Sequence, residues 1–252
     1  MNQHNRILVT GATGSIGGHV VSELDAAGAA VRAMARQPDP AAVPSGVELV
    51  HGDFTDLASV ARALDDVESV FLLWPFLVAD AAPAVVGLVA EHAKRVIYVS
   101  AMSVRDDRDP AANGVWGQVE HLIEQSGVAW TFLRVGGLAT NTLVWTDQIH
   151  TGGVVRWPYG QAGRSLIHER DVAAVAARAL MEDGHAGARY RLTGPAVLTQ
   201  AEQVRVIGDA IGQPVVTVSR AAALRQDRPA RTPPGAGSRS RHGRAYRGPR
   251  RR

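Results

Sequence analysis

Short runs of β-branched and apolar residues alternate with helical stretches from residue 6 to about residue 135. The pattern predicts six strands, at residues 7–10, 30–35, 47–51, 69–73, 96–100 and 128–134. Between them apolar residues recur at helical spacing, as Ile16, Val20 and Leu24 do, so each helix has one face to lay against a sheet. Strands joined by such crossovers form a parallel, doubly wound α/β sheet, in which ligands bind beyond the carboxyl ends of the strands.

Beyond residue 135 the pattern loosens, which predicts a small C-terminal lobe over residues 136–219 after a first domain over residues 1–135. Asp171 precedes a helical run of apolar residues and is the predicted N-cap of that helix. A strand is predicted at 189–192. Thr199 and Glu202 have the spacing of a capping box, and Gly212 is predicted to end the helix that they begin.

The last 33 residues, 220–252, differ in composition from the rest of the chain. They hold 11 of the 27 basic residues and one of the 24 acidic ones, so the net charge of +3 combines an acidic body with a basic tail. Large apolar side chains are almost absent there, which predicts a disordered Arg-rich tail. The hypothesis is that this tail arose from a frameshift in a GC-rich gene or from an altered terminus and has no function. The functional alternative is a basic arm for nucleic acid or an anionic membrane. Because the body is acidic, we do not expect nucleic acid as a partner.

Residues that the chain lacks exclude several classes of chemistry. It has no cysteine, and therefore no disulfide, thiolate metal ligand or cysteine nucleophile. The nine histidines show no metal-ligand spacing, and neither a Gly-x-Ser-x-Gly elbow nor a Walker motif occurs, so no metal is expected. No apolar run reaches the ~20 residues of a bilayer span, and the first residues lack the pattern of a secretory signal. We therefore expect a cytoplasmic protein without a membrane partner.

The most specific signal is the motif Thr10-Gly11-Ala12-Thr13-Gly14-Ser15-Ile16-Gly17, which follows the first predicted strand and opens the first helix. Gly11 permits the tight turn, Gly14 lets the backbone approach a pyrophosphate, and Gly17 allows the helix to pack closely on the strand. The amino end of a helix attracts phosphate groups. The motif therefore predicts a Rossmann-type dinucleotide site over residues 11–17.

Residues at the ends of the second and third strands determine the choice of cofactor. About 20 residues past the glycines, where an NAD-selective site usually has an acid, this chain has Arg36. A guanidinium suits a 2′-phosphate, so NADPH is the expected cofactor and NAD is the less favoured one. Asp53, with Phe54 after it, is placed to accept a hydrogen bond from the adenine amine. Its other interpretation is a cap for a helix that begins at Thr55.

Residues that follow the fourth and fifth strands are placed for the nicotinamide end of the cofactor. Leu73 and Trp74 end the fourth strand, and the segment Trp74-Pro75-Phe76 offers apolar rings to the cofactor and a flat substrate. Packing in the core is the alternative for these rings. Ser100 ends the fifth strand near the nicotinamide, with a role in a turn or helix cap as the alternative. Gly136-Gly137 gives close backbone access after the sixth strand.

The chain resembles the NmrA-like branch of the atypical short-chain dehydrogenase/reductases over residues 6–219. The matching segments are the Thr-Gly-Ala-Thr-Gly-x-x-Gly motif and residues 31–36, 52–56, 96–100, 120–141, 171–173 and 190–195. The resemblance implies a Rossmann-type domain that binds NAD(P) and a small C-terminal lobe that closes over the substrate. That family contains reductases of quinones, azo dyes and small carbonyl compounds, and also regulators that bind the dinucleotide without turnover.

One departure from the family limits what the resemblance implies. Oxidoreductases of the wider family use a Tyr-x-x-x-Lys pair, in which the tyrosine donates a proton and the lysine lowers its pKa. The only lysine, Lys94, has Ala90 four residues before it, and residues 113–120 contain neither a tyrosine nor a lysine. The catalytic residues therefore stay unassigned, and Ser100, Ser103 and His121 are the first to test for a missed proton donor.

Two hypotheses about function follow from the resemblance. The first is an NADPH-dependent oxidoreductase that reduces a quinone-like or other electrophilic small molecule without the Tyr/Lys pair. The alternative is a regulator that senses NAD(P) and binds a partner protein without turnover.

Overall fold

The computed structural model describes residues 6–219, which form a seven-stranded sheet with helices on both faces and a small C-terminal cluster of short elements. In chain order the elements are β1 (Arg6–Thr10), α1 (Gly17–Ala26), β2 (Val31–Ala35), β3 (Glu48–His51), α2 (Leu57–Leu64), β4 (Val67–Leu73), α3 (Ala82–His92), β5 (Arg95–Ala101), α4 (Gly114–Gln125), β6 (Ala129–Val135), α5 (Thr146–Gly152), β7 (Val154–Trp157), β8 (Gly163–Arg164), α6 (Glu169–Met181), β9 (Ala188–Leu192), β10 (Leu198–Thr199), α7 (Gln200–Ile211) and β11 (Val216–Ser219). The predicted basic tail lies outside the described residues.

The main sheet is parallel throughout and has the strand order β3-β2-β1-β4-β5-β6-β9. This arrangement confirms the predicted Rossmann-type α/β fold, and each of the six predicted strands is present within two residues of its expected bounds. The strand order reverses between β1 and β4. In open parallel sheets a crevice for ligands forms at such a reversal, on the carboxyl edge.

Strand β9 belongs to the main sheet, although its sequence lies in the segment predicted as the small lobe. Its residues pair in parallel with β6, from Thr131 against Ala188 to Val135 against Leu192. The crossover between the two strands contains α5, β7 and β8 besides α6, so the sequence pattern did not show that the strands are neighbours. The division of the chain at residue 135 stays a prediction.

The two faces of the sheet carry separate apolar cores, because side chains alternate along each strand. Leu8, Tyr98 and Phe132 pack with α2, α3 and α4, whereas Val9 and Ile97 on the opposite face pack with α1 and α6. The central strands are therefore apolar on both faces, as is usual in a parallel sheet that helices cover on both sides.

Helix caps follow the sequence in one case and differ from it in another. Thr199 and Glu202 form the predicted capping box of α7, and Gly212, at φ +67°, follows the end of that helix. The predicted N-cap of α6 was wrong: α6 begins at Glu169, and the cap is His168, whose Nδ1 accepts the N–H of Arg170 at 3.1 Å. Asp171 instead lies in the first turn of α6, where its negative charge interacts favourably with the helix dipole.

Candidate cofactor-binding site

The glycine motif forms a tight turn between β1 and α1. Gly11 has φ +63°, and its carbonyl accepts the N–H of Gly14 at 2.9 Å. A Cβ on Gly17 would lie 2.1 Å from the Gly11 oxygen, so only glycine lets the start of α1 approach the turn this closely. Thr13, Gly14 and Ser15 are exposed at the amino end of the helix, which is the arrangement that binds a pyrophosphate.

The side chain of Thr10 connects β1 and β4, the two neighbouring strands between which the strand order reverses. Its buried hydroxyl oxygen accepts the N–H of Leu73 at 2.9 Å, which links the carboxyl ends of β1 and β4. Sequence reasoning did not assign this role to Thr10. The available signal was a polar residue that ends an otherwise apolar strand.

A cleft of about 670 Å³ opens beside the glycine turn and extends along the ends of β2, β3 and β4. Nine of the thirteen predicted site residues line it: Gly11, Thr13, Gly14, Ser15, Ile16, Arg36, Asp53, Phe54 and Leu73. Pro75 and Phe76, also singled out in the sequence, complete the wall after β4. The structure thus brings the glycine motif, Arg36 and the ends of β3 and β4 to one place.

Four predicted site residues do not line this cleft. Ala12 and Gly17 are buried in the turn, where the Ala12 N–H donates to the Met34 carbonyl at 3.2 Å. Trp74 is also buried; it stacks on Phe54 with ring centroids 5.4 Å apart, and its indole N–H donates to the Val78 carbonyl at 3.0 Å.

Ser100 is the fourth predicted residue outside the cleft. It is buried at the end of β5, and its hydroxyl has no hydrogen-bond partner among the described residues. A cofactor contact by Ser100 therefore stays a prediction.

Arg36 and Asp53 are the charged side chains of the cleft. The Asp53 carboxylate accepts the N–H of Thr55 at 2.9 Å and its hydroxyl at 2.8 Å. These two bonds hold the pKa of Asp53 below its usual value, and the nearby charge of Arg36 acts in the same direction. Helix α2 begins at Leu57 with Asp56 as its N-cap, so Asp53 shapes the turn before the helix and does not cap it.

Met34, Gln37 and Gly52 also line the cleft, and sequence reasoning missed them. A Cβ on Gly52 would lie 2.4 Å from the Met34 sulfur, so glycine at the end of β3 leaves room for the methionine. The glycine before Asp53 was the available signal for this close approach.

The only lysine lies at the opposite edge of the sheet. Lys94 precedes β5 at its amino end, and its Nζ is 2.9 Å from Glu68 Oε1. It lines a second cavity, of about 810 Å³, at this amino edge. That cavity is larger than the cleft but contains none of the glycine-turn residues, which line the cleft instead.

Tyr98 on β5 is not available as a proton donor. It lies in the middle of the strand and is fully buried, and this burial raises the pKa of the phenol far above the usual range. Tyr190 on β9 bonds through its hydroxyl to His185 Nδ1 at 2.7 Å. Within residues 6–219 no Tyr-x-x-x-Lys pair stands at the carboxyl edge.

A buried ion pair fixes α4 to the end of β6. Arg134 donates to both carboxylate oxygens of Glu120, at 3.0 and 2.6 Å, and to Asp106 in the loop after β5 at 2.7 Å. These bonds raise the pKa of Arg134 and lower that of Asp106. Such a paired arginine positions the helix and the loop beside the candidate site.

The described residues also bear on the binding of metal ions and membranes. Over residues 6–219 no group of three or more His, Asp or Glu side chains is placed to hold a metal ion. In the same part of the chain, every helix is too short or too polar to span a bilayer.

Comparisons with known proteins agree with this geometry. Residues 11–183 match the family model described as NAD(P)H-binding. The (4-alkanoyl-5-oxo-2,5-dihydrofuran-3-yl)methyl phosphate reductase of Streptomyces griseus subsp. griseus is 38% identical over 213 residues, 83% of this chain and 75% of that protein. The NAD(P)H azoreductase of Xenophilus azovorans is 32% identical over 215 residues, with coverage of 83% and 75%.

A solved structure also resembles the described residues. The NADPH-dependent quinone oxidoreductase from Escherichia coli, complexed with NADPH, superposes with a TM-score of 0.70. It is 27% identical, and the match covers 87% of this chain and 82% of that one. The similarity therefore extends beyond the glycine turn to most of the described chain.

Proposed function

Because this chain belongs to the NAD(P)H-binding family, in the NmrA-like branch of the atypical short-chain dehydrogenase/reductases, we propose that it reduces a quinone-like or similarly conjugated electrophile with NADPH. The chain has the Rossmann fold of that family, and its relatives of known activity are NAD(P)H-dependent reductases, which supports an oxidoreductase. The acceptor and the manner in which it is protonated are the proposed part.

The cleft fits an NADP(H) molecule. The exposed residues 13–15 border the space at the amino end of α1, where a helix attracts a pyrophosphate. Arg36 on the wall supplies a guanidinium for the 2′-phosphate, and the Asp53 carboxylate is a hydrogen-bond acceptor for the adenine amine. When bound, the cofactor supplies the hydride, and the chain's own residues orient it along the carboxyl edge towards β5 and β6.

The observation that carries the choice of acceptor is the lack of a positioned Tyr/Lys pair in the described residues. A general acid typically contributes about 10² to 10⁴ in rate, and an unactivated ketone needs a proton as its alkoxide forms. Here Lys94 lies at the amino edge of the sheet, opposite the cleft, and Tyr98 is buried with a raised pKa. A conjugated acceptor delocalises the new charge, and water protonates it afterwards.

The relatives support this choice. Their names specify a 5-oxo-2,5-dihydrofuran, an azo compound and a quinone as acceptors. Each of these has its reducible double bond within a conjugated or electron-poor system. Proximity and orientation, which an enclosed apolar site provides, are then the main requirements for hydride transfer.

The test measures the loss of NADPH absorbance with a quinone, an azo dye, an unsaturated lactone and an unactivated ketone. We expect turnover of at least one conjugated acceptor, with the ketone slower by about 10² or more. Fast ketone reduction would show that a proton donor was missed, and Ser100→Ala, Ser103→Ala and His121→Ala would then identify it.

Tight NADPH binding without oxidation by any acceptor would favour the alternative, a cofactor sensor. In that case a partner protein should bind the NADPH-loaded and NADP⁺-loaded forms differently. Calorimetry of the cofactor and turnover measured on the same preparation separate the two functions.

A further inference from the structure

Trp116, on α4, differs from the other four tryptophans of the chain. Each of the others packs against another aromatic ring: Trp74 on Phe54 and Phe76, Trp130 on Phe132, and Trp145 on Trp157. Trp116 has no ring partner among the described residues and is 37% exposed. Single exposed apolar side chains are common on protein surfaces, so the exposure of this indole bears on function only through its place in the fold.

The exposure of Trp116 does not come from an outward-facing position on the helix. Residues three, four and seven positions later share its side of α4, because a helix has 3.6 residues per turn. These residues are Val119, Glu120 and Ile123, and all three are buried. Trp116 therefore lies on the inward face of α4, at a point where the described part of the chain leaves that face open.

The position of Trp116 along the helix explains why that face is open. Glu120 bonds to Arg134, the second-last residue of β6, and α4 runs antiparallel to the strands. One turn earlier, Trp116 lies in the first turn of α4, at the carboxyl edge of the sheet and on the side of β5 and β6. Ligands of open parallel sheets bind beyond this edge.

The backbone of Trp116 is held firmly at this edge. Asn113, just before α4, accepts the N–H of Arg105 at 3.0 Å and donates to the Arg105 carbonyl at 2.8 Å. A Cβ on Gly117 would lie 2.2 Å from the Asn113 Cβ, so glycine lets this loop lie directly on the first turn. The indole is therefore presented from a fixed position.

We propose that Trp116 is a specificity-determining residue on which the planar ring of the acceptor stacks during hydride transfer. The occupant is a flat, conjugated ring of the quinone class. The inference rests on the proposed function, since it places that acceptor beyond the carboxyl ends of β5 and β6, next in the sheet to β4, whose end lines the cleft. Stacking on an indole favours ring acceptors over small acyclic ones.

The experiment compares the full chain with Trp116→Ala and Trp116→Phe. Equilibrium dialysis measures the Kd of 1,4-naphthoquinone for protein saturated with NADP⁺, which cannot reduce it, and steady-state assays give KM for the quinone and for NADPH. Loss of the indole should raise the quinone Kd and KM about tenfold. Phenylalanine should restore most of the affinity, and KM for NADPH should stay unchanged in both variants.

Met181→Ala is the matched control, because Met181 is an exposed apolar side chain at the opposite edge of the sheet. It should change none of these constants. An unchanged quinone Kd in Trp116→Ala, or an equal loss of NADPH affinity, would overturn the role of Trp116. If the unmodified protein oxidises no NADPH, the proposed function fails, whereas the Kd of the NADP⁺-loaded protein still decides whether the ring binds at Trp116.

Discussion

Arg36 follows the last residue of β2 on the wall of the cleft, within electrostatic reach of the Asp53 carboxylate. A guanidinium at this position has no role in the core, since its side chain is exposed. At the scale of single residues, we therefore predict that the preference for NADPH over NADH depends mainly on this one charge.

Replacing Arg36 by alanine should remove that preference. A charge-assisted hydrogen bond to phosphate is worth about 1.5 to 3 kcal/mol, so the unmodified protein should bind NADPH roughly 10 to 150 times more tightly than NADH. Calorimetric titration of both cofactors measures the ratio, which Arg36→Ala should bring close to one. Arg62→Ala, which removes an exposed charge from α2, is the control and should leave it unchanged. Equal affinities in the unmodified protein would contradict the assignment.

Glu169 is a buried carboxylate that connects α6 to the loop after β6. Its Oε1 accepts both the backbone N–H of Thr140, at 3.0 Å, and the hydroxyl of the same residue. Burial alone would raise the pKa of Glu169, but the two bonds from Thr140 outweigh it, and the pKa lies below its ordinary value. The ionised form is therefore favoured in the folded state.

This direction of shift predicts how the stability depends on pH. A depressed pKa gives stability that is present above the ordinary value of 4.5 and is lost as the pH falls through the pKa of the folded state. Glu169→Gln should lower the free energy of unfolding by about 1.5 to 3 kcal/mol at neutral pH. In urea titrations the difference in free energy of unfolding between this variant and the unmodified protein should become smaller below pH 4.5. Glu91→Gln, an exposed control on α3, should have little effect at either pH. A difference that does not change with pH would argue against a stabilising charge on Glu169.

At the scale of elements, the junction of β1 and α1 depends on how closely two backbone segments approach. The Gly17 backbone lies against the Gly11 carbonyl, whereas a Cβ added to Gly18 would be in ordinary van der Waals contact, 3.5 Å from the Ala12 carbonyl oxygen. Two adjacent glycines at the start of one helix thus have different roles.

Gly17→Ala and Gly18→Ala form a matched pair that tests this difference. Gly17→Ala should cost about 1 to 3 kcal/mol of stability, because the Gly11 backbone must move, and it should also weaken NADPH binding. Gly18→Ala should be neutral or stabilise the protein by up to about 1 kcal/mol, since alanine is the better helix former. Urea denaturation and calorimetry measure both effects. Similar results for the two variants would show that the close approach at Gly17 is not what holds the turn.

The elements also show what the sequence was able to predict. The six strands were predicted because their apolar runs are continuous, and the glycine turn because Gly11 and Gly17 meet steric demands that only glycine satisfies. The start of α6 was misplaced, since a histidine cap such as His168 leaves a weaker signal than Asp171. Trp116 was not singled out from the sequence, because its exposure depends on how α4 packs on the sheet, which is a tertiary property.

At the scale of the whole molecule, the described body ends at β11, whose residues pair with β7 from Val216 against Val154 to Ser219 against Trp157. The body to that point is acidic and the following 33 residues are strongly basic. The sequence therefore predicts that folding and cofactor binding belong to the body alone.

Deletion of residues 220–252 should leave the Tm and the NADPH Kd unchanged. Phosphate contacts are the main interactions that these residues offer, so any binding to duplex DNA should depend steeply on salt and disappear on deletion. Thermal melts, calorimetry and DNA titrations at two salt concentrations measure these properties. Loss of NADPH binding on deletion would show instead that the tail is structural.

The position of Lys94 has a practical consequence for handling the protein. It carries the only side-chain amine of the chain, its side chain is 80% exposed, and it lies at the edge of the sheet opposite the cleft. Once the α-amino group is blocked, a support with amine-reactive groups should therefore couple to Lys94 and hold the molecules in a common orientation, with the cleft facing the solution. A fluorescent label attached at the same residue should report on tumbling without touching the bound cofactor.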